Sequence, residues 1–315
     1  MAFQWIRRAA LVGSAAVALL LASCGGGKVE SQFSPSRVIA FGDAMADVGQ
    51  DGARYTVNDG SVNIWAQFVA NSYGQQLSPS SQGGLGYAWG NARVAAKPDA
   101  AGNSATPTVT EQIDAFLASN SLTGDDLVIV SAGTSDVVTE VRKVVEGSQS
   151  SDQMLANLDT AGRALADQVK RLVSAGAKHV VLAGTYDLGR SAWAVQMGSD
   201  SLLHPASETF NNGLLVPLVN SGANVLYVDA ALYFNQQTSS SSNVDNHTDA
   251  VCVSVDPGPG IGTGNGQVNS HLCDPTTIAA GQDYSRFLWA DRVYPTPRGH
   301  QLFGDYAQGR VKDRW

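Results

Sequence analysis

Short apolar runs alternate along the chain with longer amphipathic stretches. Val38-Ile39-Ala40-Phe41, closed by Gly42, is the first such run. Segments 126–132 (Asp-Leu-Val-Ile-Val-Ser-Ala), 178–183 (Lys-His-Val-Val-Leu-Ala) and 224–229 (Asn-Val-Leu-Tyr-Val-Asp) repeat it. Continuous apolar runs of this length between turn residues read as buried strands. Between them, Ile64, Trp65, Phe68 and Val69 recur at helical spacing within 63–73, and Ile113, Phe116 and Leu117 do so within 109–117. Leu155, Leu158, Ala161, Leu165, Val169, Leu172 and Val173 mark a long amphipathic helix over 151–175, capped by Gly176. A further helix covers 208–219, with Pro217 disturbing its end. Strand, helix and strand joined by short returns are the grammar of a parallel sheet. Trp65 reads as core, and His179, at a strand's entry, as a structural or exposed residue.

The remaining stretches are polar. Segment 50–60 is Gly/Asp-rich and reads as a loop over the strand ends, 97–107 as another loop, and 235–269, rich in Ser, Asn, Asp and Gly, as surface loop that buries little. Val251-Cys252-Val253 interrupts that last segment, and Cys252 with Cys273 beyond it most simply forms a disulfide in an oxidising compartment. Their spacing lacks a second ligand pair for zinc, and Asp256 and Asn265 fit no calcium-loop register, so no metal and no cofactor is expected. With a formal charge of −8 and no Lys/Arg run after residue 8, the chain lacks the clustered basic surface that nucleic acid requires. Its 43% hydrophobic and 15% charged residues are those of a globular chain.

Arg7-Arg8, an apolar run from Ala9 to Leu21, and Leu21-Ala22-Ser23-Cys24 together look like a bacterial lipoprotein signal. An ordinary secretory signal or a short membrane anchor are the alternatives, although a run of about 13 residues is short for a span needing ~20. The lipoprotein reading gives residues 1–24 as signal, Cys24 as the lipidated N-terminus, 25–36 as a flexible tether and 37–315 as the folded domain. Gly25 after Cys24 then implies sorting to the outer membrane of a bacterial cell envelope.

Chemistry concentrates in a set of turns. Phe41-Gly42-Asp43-Ala44, with Asp47 and Gly49 close behind, resembles the first block of the SGNH/GDSL family of serine esterases and acylhydrolases. Tyr87-Ala88-Trp89-Gly90-Asn91-Ala92 is similar to its second block, Gly133-Thr134-Ser135-Asp136 to its third, Thr185-Tyr186-Asp187-Leu188-Gly189 to its fourth, and Asp291-Arg292-Val293-Tyr294-Pro295-Thr296 to its fifth. The resemblance implies a single three-layer α/β/α domain of flavodoxin-like kind with a mostly parallel sheet of about five strands. It also implies a site at the carboxyl ends of those strands. Ala44 then stands at the nucleophile position, Asn91 at an oxyanion glycine, Ser135 at the oxyanion asparagine, and Tyr294 at the general base that Asp291 would orient. Asp43, Gly90 and Gly133 would shape the site.

A methyl group cannot attack an ester, and a phenol with an ordinary pKa of about 10 is a poor base at neutral pH. Serine at position 135 offers one hydroxyl on a shorter arm than asparagine. The family's lipases, esterases and deacetylases thus supply a frame whose reacting groups are replaced here. The expectation is an envelope lipoprotein that acts on or binds acyl esters, lipids or glycans without serine-type catalysis. Two alternatives stand beside it: an ester hydrolase using Ser135 or Ser131 with His300 and Asp291, His300 lying on the first turn of the final helix, and a structural envelope lipoprotein whose long loop meets a partner.

Overall fold

The computed structural model describes residues 33–62, 64–198, 200–239 and 243–315. The lipidation signal and Cys24 lie outside the described residues. Among the described residues no helix is long and apolar enough to cross a membrane.

Strands β1 (Arg37–Gly42), β2 (Asp126–Ser131), β3 (His179–Ala183) and β4 (Val225–Tyr227) form one parallel sheet in that order. Val38 pairs with Leu127 and Leu127 with His179, and β2 is buried along its whole length, as its apolar run requires. The sheet has four strands rather than about five, but segment 85–89 lies along the open edge of β1. There the Ala40 N–H donates to Leu85 O (3.0 Å), Tyr87 N–H to Ala40 O (2.7 Å) and Trp89 N–H to Gly42 O (3.2 Å). The segment behaves as a rudimentary edge strand.

Helices α1 (Trp65–Ser72), α2 (Val109–Ser119), α3 (Thr134–Val145), α4 (Ser151–Ser174), α5 (Ala192–Met197), α6 (Leu203–Leu215), α7 (Ala230–Gln237) and α8 (Pro297–Arg314) complete the layers. One packed set comprises α3, α4 and α6, and another α1, α7 and α8. Local chemistry starts several of them. Thr108 and Glu111 make a reciprocal capping box at α2, Ser150 caps α4, and Thr296 caps α8 ahead of Pro297. The periodicity at 208–219 lies on α6 and the 3₁₀ turn at Val216–Leu218, with Pro217 inside that turn.

At the entry edge of the sheet, Phe33 packs on His179 (ring centroids 3.8 Å) and on Trp315 (6.2 Å), while Ser36 N–H donates to Asp125 O (2.8 Å). His179 is therefore a packing residue, and Phe33–Ser36, at the end of the segment read as tether, lie against the domain.

The segment 235–269 departs from its reading as peripheral loop. Ile261 is buried in the main core, and Val251, Cys252 and Cys273 form a second small core with Val57, Phe287 and Ala290. The disulfide between Cys252 and Cys273 is formed, with Cα atoms 6.0 Å apart. Two short ladders belong to this region, β5 (Asn246–Ala250) with β8 (Phe287–Trp289), and β6 (Val255–Asp256) with β7 (Gln267–Val268). The Asp256 carboxylate accepts from the Gly258 N–H (2.8 Å) and the Asn269 amide (2.9 Å), closing a turn. The segment's polar composition satisfies its own turns, and its few apolar residues carry the packing.

Candidate functional site

β1 ends at Gly42, where a Cβ would fall 1.8 Å from Ser131 O, so only glycine fits the turn that follows. Asp43 continues the pairing through its N–H to Ser131 O (3.0 Å). Its Oδ1 accepts from Met45 N–H (3.0 Å) and its Oδ2 from Ser135 N–H (3.3 Å), linking the turn after β1 to the start of α3. Burial pushes the Asp43 carboxyl up to about 7, against those N–H donors and with a further push from the Asp136 charge.

Ala44, Ser135, Asp291 and Tyr294 all lie at this carboxyl edge and each is 0% exposed. Asp291 has the setting of an orienting acid but has no imidazole to orient. Its Oδ1 accepts from Val293 N–H (2.8 Å) and Tyr294 N–H (2.7 Å), its Oδ2 from Ser270 N–H (3.0 Å). The carboxylate shapes the turn that holds Tyr294. The Tyr294 ring packs edge-on to Tyr55, and burial raises its phenol well above the ordinary range. The Ser135 hydroxyl is near enough to favour the phenolate, yet neither hydroxyl completes a hydrogen bond. A buried phenol that stays protonated is a poor base at neutral pH.

The oxyanion positions are also occupied. Gly90 N–H donates to Asp47 Oδ2 (2.7 Å), and a Cβ at Gly90 would fall 2.0 Å from the Tyr55 ring. Asn91 has φ of +60°, the only non-glycine among the described residues with positive φ, a conformation asparagine tolerates. Its amide donates to Tyr55 Oη (3.2 Å) and to Gly260 O (3.0 Å), tying the 256–264 stretch over the site. Gly133 is the N-cap of α3, against the Phe210 ring.

His300 does not join this group. It is fully buried on α8, its Nδ1 accepting the Trp65 N–H at 3.4 Å, where the first turn of α1 has no side-chain cap. Burial pushes the imidazole down to about 3, despite a favourable contact with the Tyr55 carbonyl. Among the described residues no hydrogen bond joins His300 to Asp291, Ser131 or Ser135. The alternative triad is not assembled.

Asp47 was named only as part of the first block, without a role, and Tyr55 and Gly260 were not named as site residues. Asp47 had a signal, its place in the first block; Tyr55 and Gly260 act only through long-range contacts. Arg93 was also missed. It pairs with Asp136 (3.2 Å) and Glu140 (2.8 Å), the two acids one helical turn apart on α3. At the end of β3, Asp187 holds His204 at 2.9 Å and raises its pKa, but the nearby Ser207 hydroxyl donates to Leu203 O (2.8 Å) and accepts from Leu188 N–H (3.1 Å). No cluster of three or more His, Cys, Asp or Glu among the described residues has metal-holding geometry.

The chain is similar to Lipase 1 of Photorhabdus luminescens, 28% identical over 159 residues, which is 49% of this chain and 23% of that protein. The chain thus spans about a quarter of that relative's length. Among solved structures it is similar to a catalytic mutant of Axe2, an acetylxylan esterase from Geobacillus stearothermophilus (13% identity, TM-score 0.46, covering 90% of this chain and 96% of that one). It is similar also to a member of the lipolytic G-D-S-L family from Veillonella parvula (12% identity, TM-score 0.41, covering 86% and 95%). The family match extends from residue 38 to residue 307, from the first residues of β1 into α8 and through all the turns described above. This chain belongs to the GDSL-like lipase/acylhydrolase family.

Proposed function

We propose that this chain is an envelope lipoprotein that keeps the GDSL frame, performs no serine-type ester hydrolysis, and binds an acyl-bearing ligand. The observation that carries the reading is the joint burial of Ala44, Ser135, Asp291 and Tyr294, with alanine where the family's nucleophile stands. Acyl transfer requires a nucleophile within reach of a base and an oxyanion donor facing the reacting carbon. Here the base position is an uncharged phenol against Tyr55, the Gly90 N–H is spent on Asp47, and Asn91 holds the covering segment. Loss of the nucleophile alone leaves only ~10³–10⁴ of a triad's acceleration over water. Anchoring through lipidated Cys24 would place the domain at the outer membrane, on the sequence pattern of residues 1–25.

The test is turnover of p-nitrophenyl butyrate by the purified chain. The expected rate equals that of buffer. A rate that survives repurification and disappears when Ser131 or Ser135 is changed to Ala overturns the proposal.

A further inference from the structure

Beside the closed centre lies an open cleft of about 340 Å³, within the ~300–1,000 Å³ typical of small-molecule sites. The last turns of α3 supply Arg142, Val145 and Glu146, α5 supplies Trp193, Gln196 and Met197, and the covering segment and the turn after β8 add Thr263 and Arg292. The cleft adjoins the former site covalently: Arg292 follows Asp291, and its carbonyl accepts the Trp193 N–H (2.9 Å).

The walls are of two kinds. Trp193, Met197 and Val145 are apolar, and Val145 is 58% exposed although it is a large aliphatic side chain. The same cleft is lined by two guanidiniums and one carboxylate. Arg142 is matched with Glu146 (2.6 Å), while Arg292 donates only to the neutral amide oxygen of Gln196 and has no ion-pair partner among the described residues. Its neighbour Asp291 is already saturated by backbone donors. Arg292 feels the charge of its buried neighbour Asp291 but makes no direct ion pair, so its guanidinium is the cleft's cation with donors left for a ligand. The Thr263 hydroxyl on the same wall is buried without a hydrogen-bond partner. A half-buried guanidinium without a matching acid suits a carboxylate, which it can hold in a two-pronged hydrogen bond.

We propose that this cleft binds a medium-chain carboxylate, its head on the Arg292 guanidinium and its alkyl chain along Trp193, Met197 and Val145. The inference names the ligand class and its place for the binding role proposed above, and rests on that reading. It moves the ligand from the closed centre to the flank beside it.

Octanoate titrated into the purified full chain, followed calorimetrically, tests it, with octyltrimethylammonium as the charge-reversed control. Octanoate is expected to bind and the cation not. Arg292→Gln is expected to weaken octanoate at least tenfold. Val145→Glu, at an exposed position where folding is not at stake, places a negative charge at the mouth and is expected to weaken it several-fold. Absence of octanoate binding, equal binding of the cation, or wild-type affinity in both variants overturns the proposal. Ester turnover measured on the same sample separates the two readings: hydrolysis contradicts the non-catalytic role, whereas loss of octanoate binding alone leaves that role standing and removes only this cleft.

Discussion

Tyr55 and Tyr294 meet edge to face, with ring centroids 5.3 Å apart and planes inclined by 65°. The contact joins the polar loop after β1 to the turn before α8, so residues from opposite ends of the chain close the carboxyl edge of the sheet. Gly90 lies beneath the Tyr55 ring and Asn91 holds its hydroxyl, which puts the oxyanion segment in the same packed unit. Ala44, Ser135 and Asp291 are buried at the same edge.

Tyr294→Phe tests how that packed unit is stabilised. The phenol oxygen is buried without a hydrogen bond, so deleting it relieves an unmet polar group and keeps the ring. Thermal unfolding is expected to be unchanged or to rise, by up to about 1 kcal/mol of stability. Tyr294→Ala is expected to cost about 3–5 kcal/mol through the cavity it leaves. A loss above about 1 kcal/mol in Tyr294→Phe would mean that the hydroxyl is hydrogen-bonded to Ser135 after all.

Asn91→Gly separates backbone from side chain. Glycine adopts the φ of +60° at no cost, so the variant loses chiefly the amide bonds to Tyr55 and Gly260. Amide hydrogen exchange across 256–264 is expected to accelerate several-fold, while exchange in β2 stays as in wild type. Unchanged protection over that segment would show that Asn91 does not tether it.

Stability should fall as pH rises from 5 to 7.5. Burial raises Asp43 to about 7 and Asp47 to about 6, so the folded chain holds those protons more tightly than the unfolded one. Stabilisation from such groups is complete below the unfolded carboxyl pKa of about 4 and is lost as pH passes their folded values. His300 works the other way. Lowered to about 3, it makes the unfolded state the better proton acceptor up to the ordinary histidine pKa of about 6.5, so stability from this group grows with pH over that span. Two carboxyls outweigh one imidazole in this window, and His300→Gln is expected to steepen the fall. Melting temperatures at pH 5, 6.5 and 7.5 check both signs; a melting temperature that rises with pH contradicts them.

Much of the frame was legible in the residues, because its strands are uninterrupted apolar runs and its long helix has a clean period. Val38–Phe41 and Leu127–Val130 are buried on both faces, which is what such runs encode. Helix α3 was not read from the chain although Val137, Val138 and Val141 recur at helical spacing and are buried: its β-branched residues favour a strand, and the buried Asp136 and Glu140 beside them are polar positions that only the pairing with Arg93 explains. The replaced positions at 44, 91, 135 and 294 were visible in the chain. Their closure was not, since it depends on Tyr55, Gly260 and Ser270, which touch the site only across long sequence separations. The polar segment 235–269 misled because composition does not tell where a few residues such as Ile261 and Val251 will be buried.

A fluorophosphonate probe read by intact-mass spectrometry bears most directly on whether any serine in this chain is an activated, reachable nucleophile. After prolonged incubation the wild-type chain is expected to keep its unmodified mass. A single covalent adduct mapped to Ser131, Ser135 or another serine would contradict the proposed absence of serine-type catalysis.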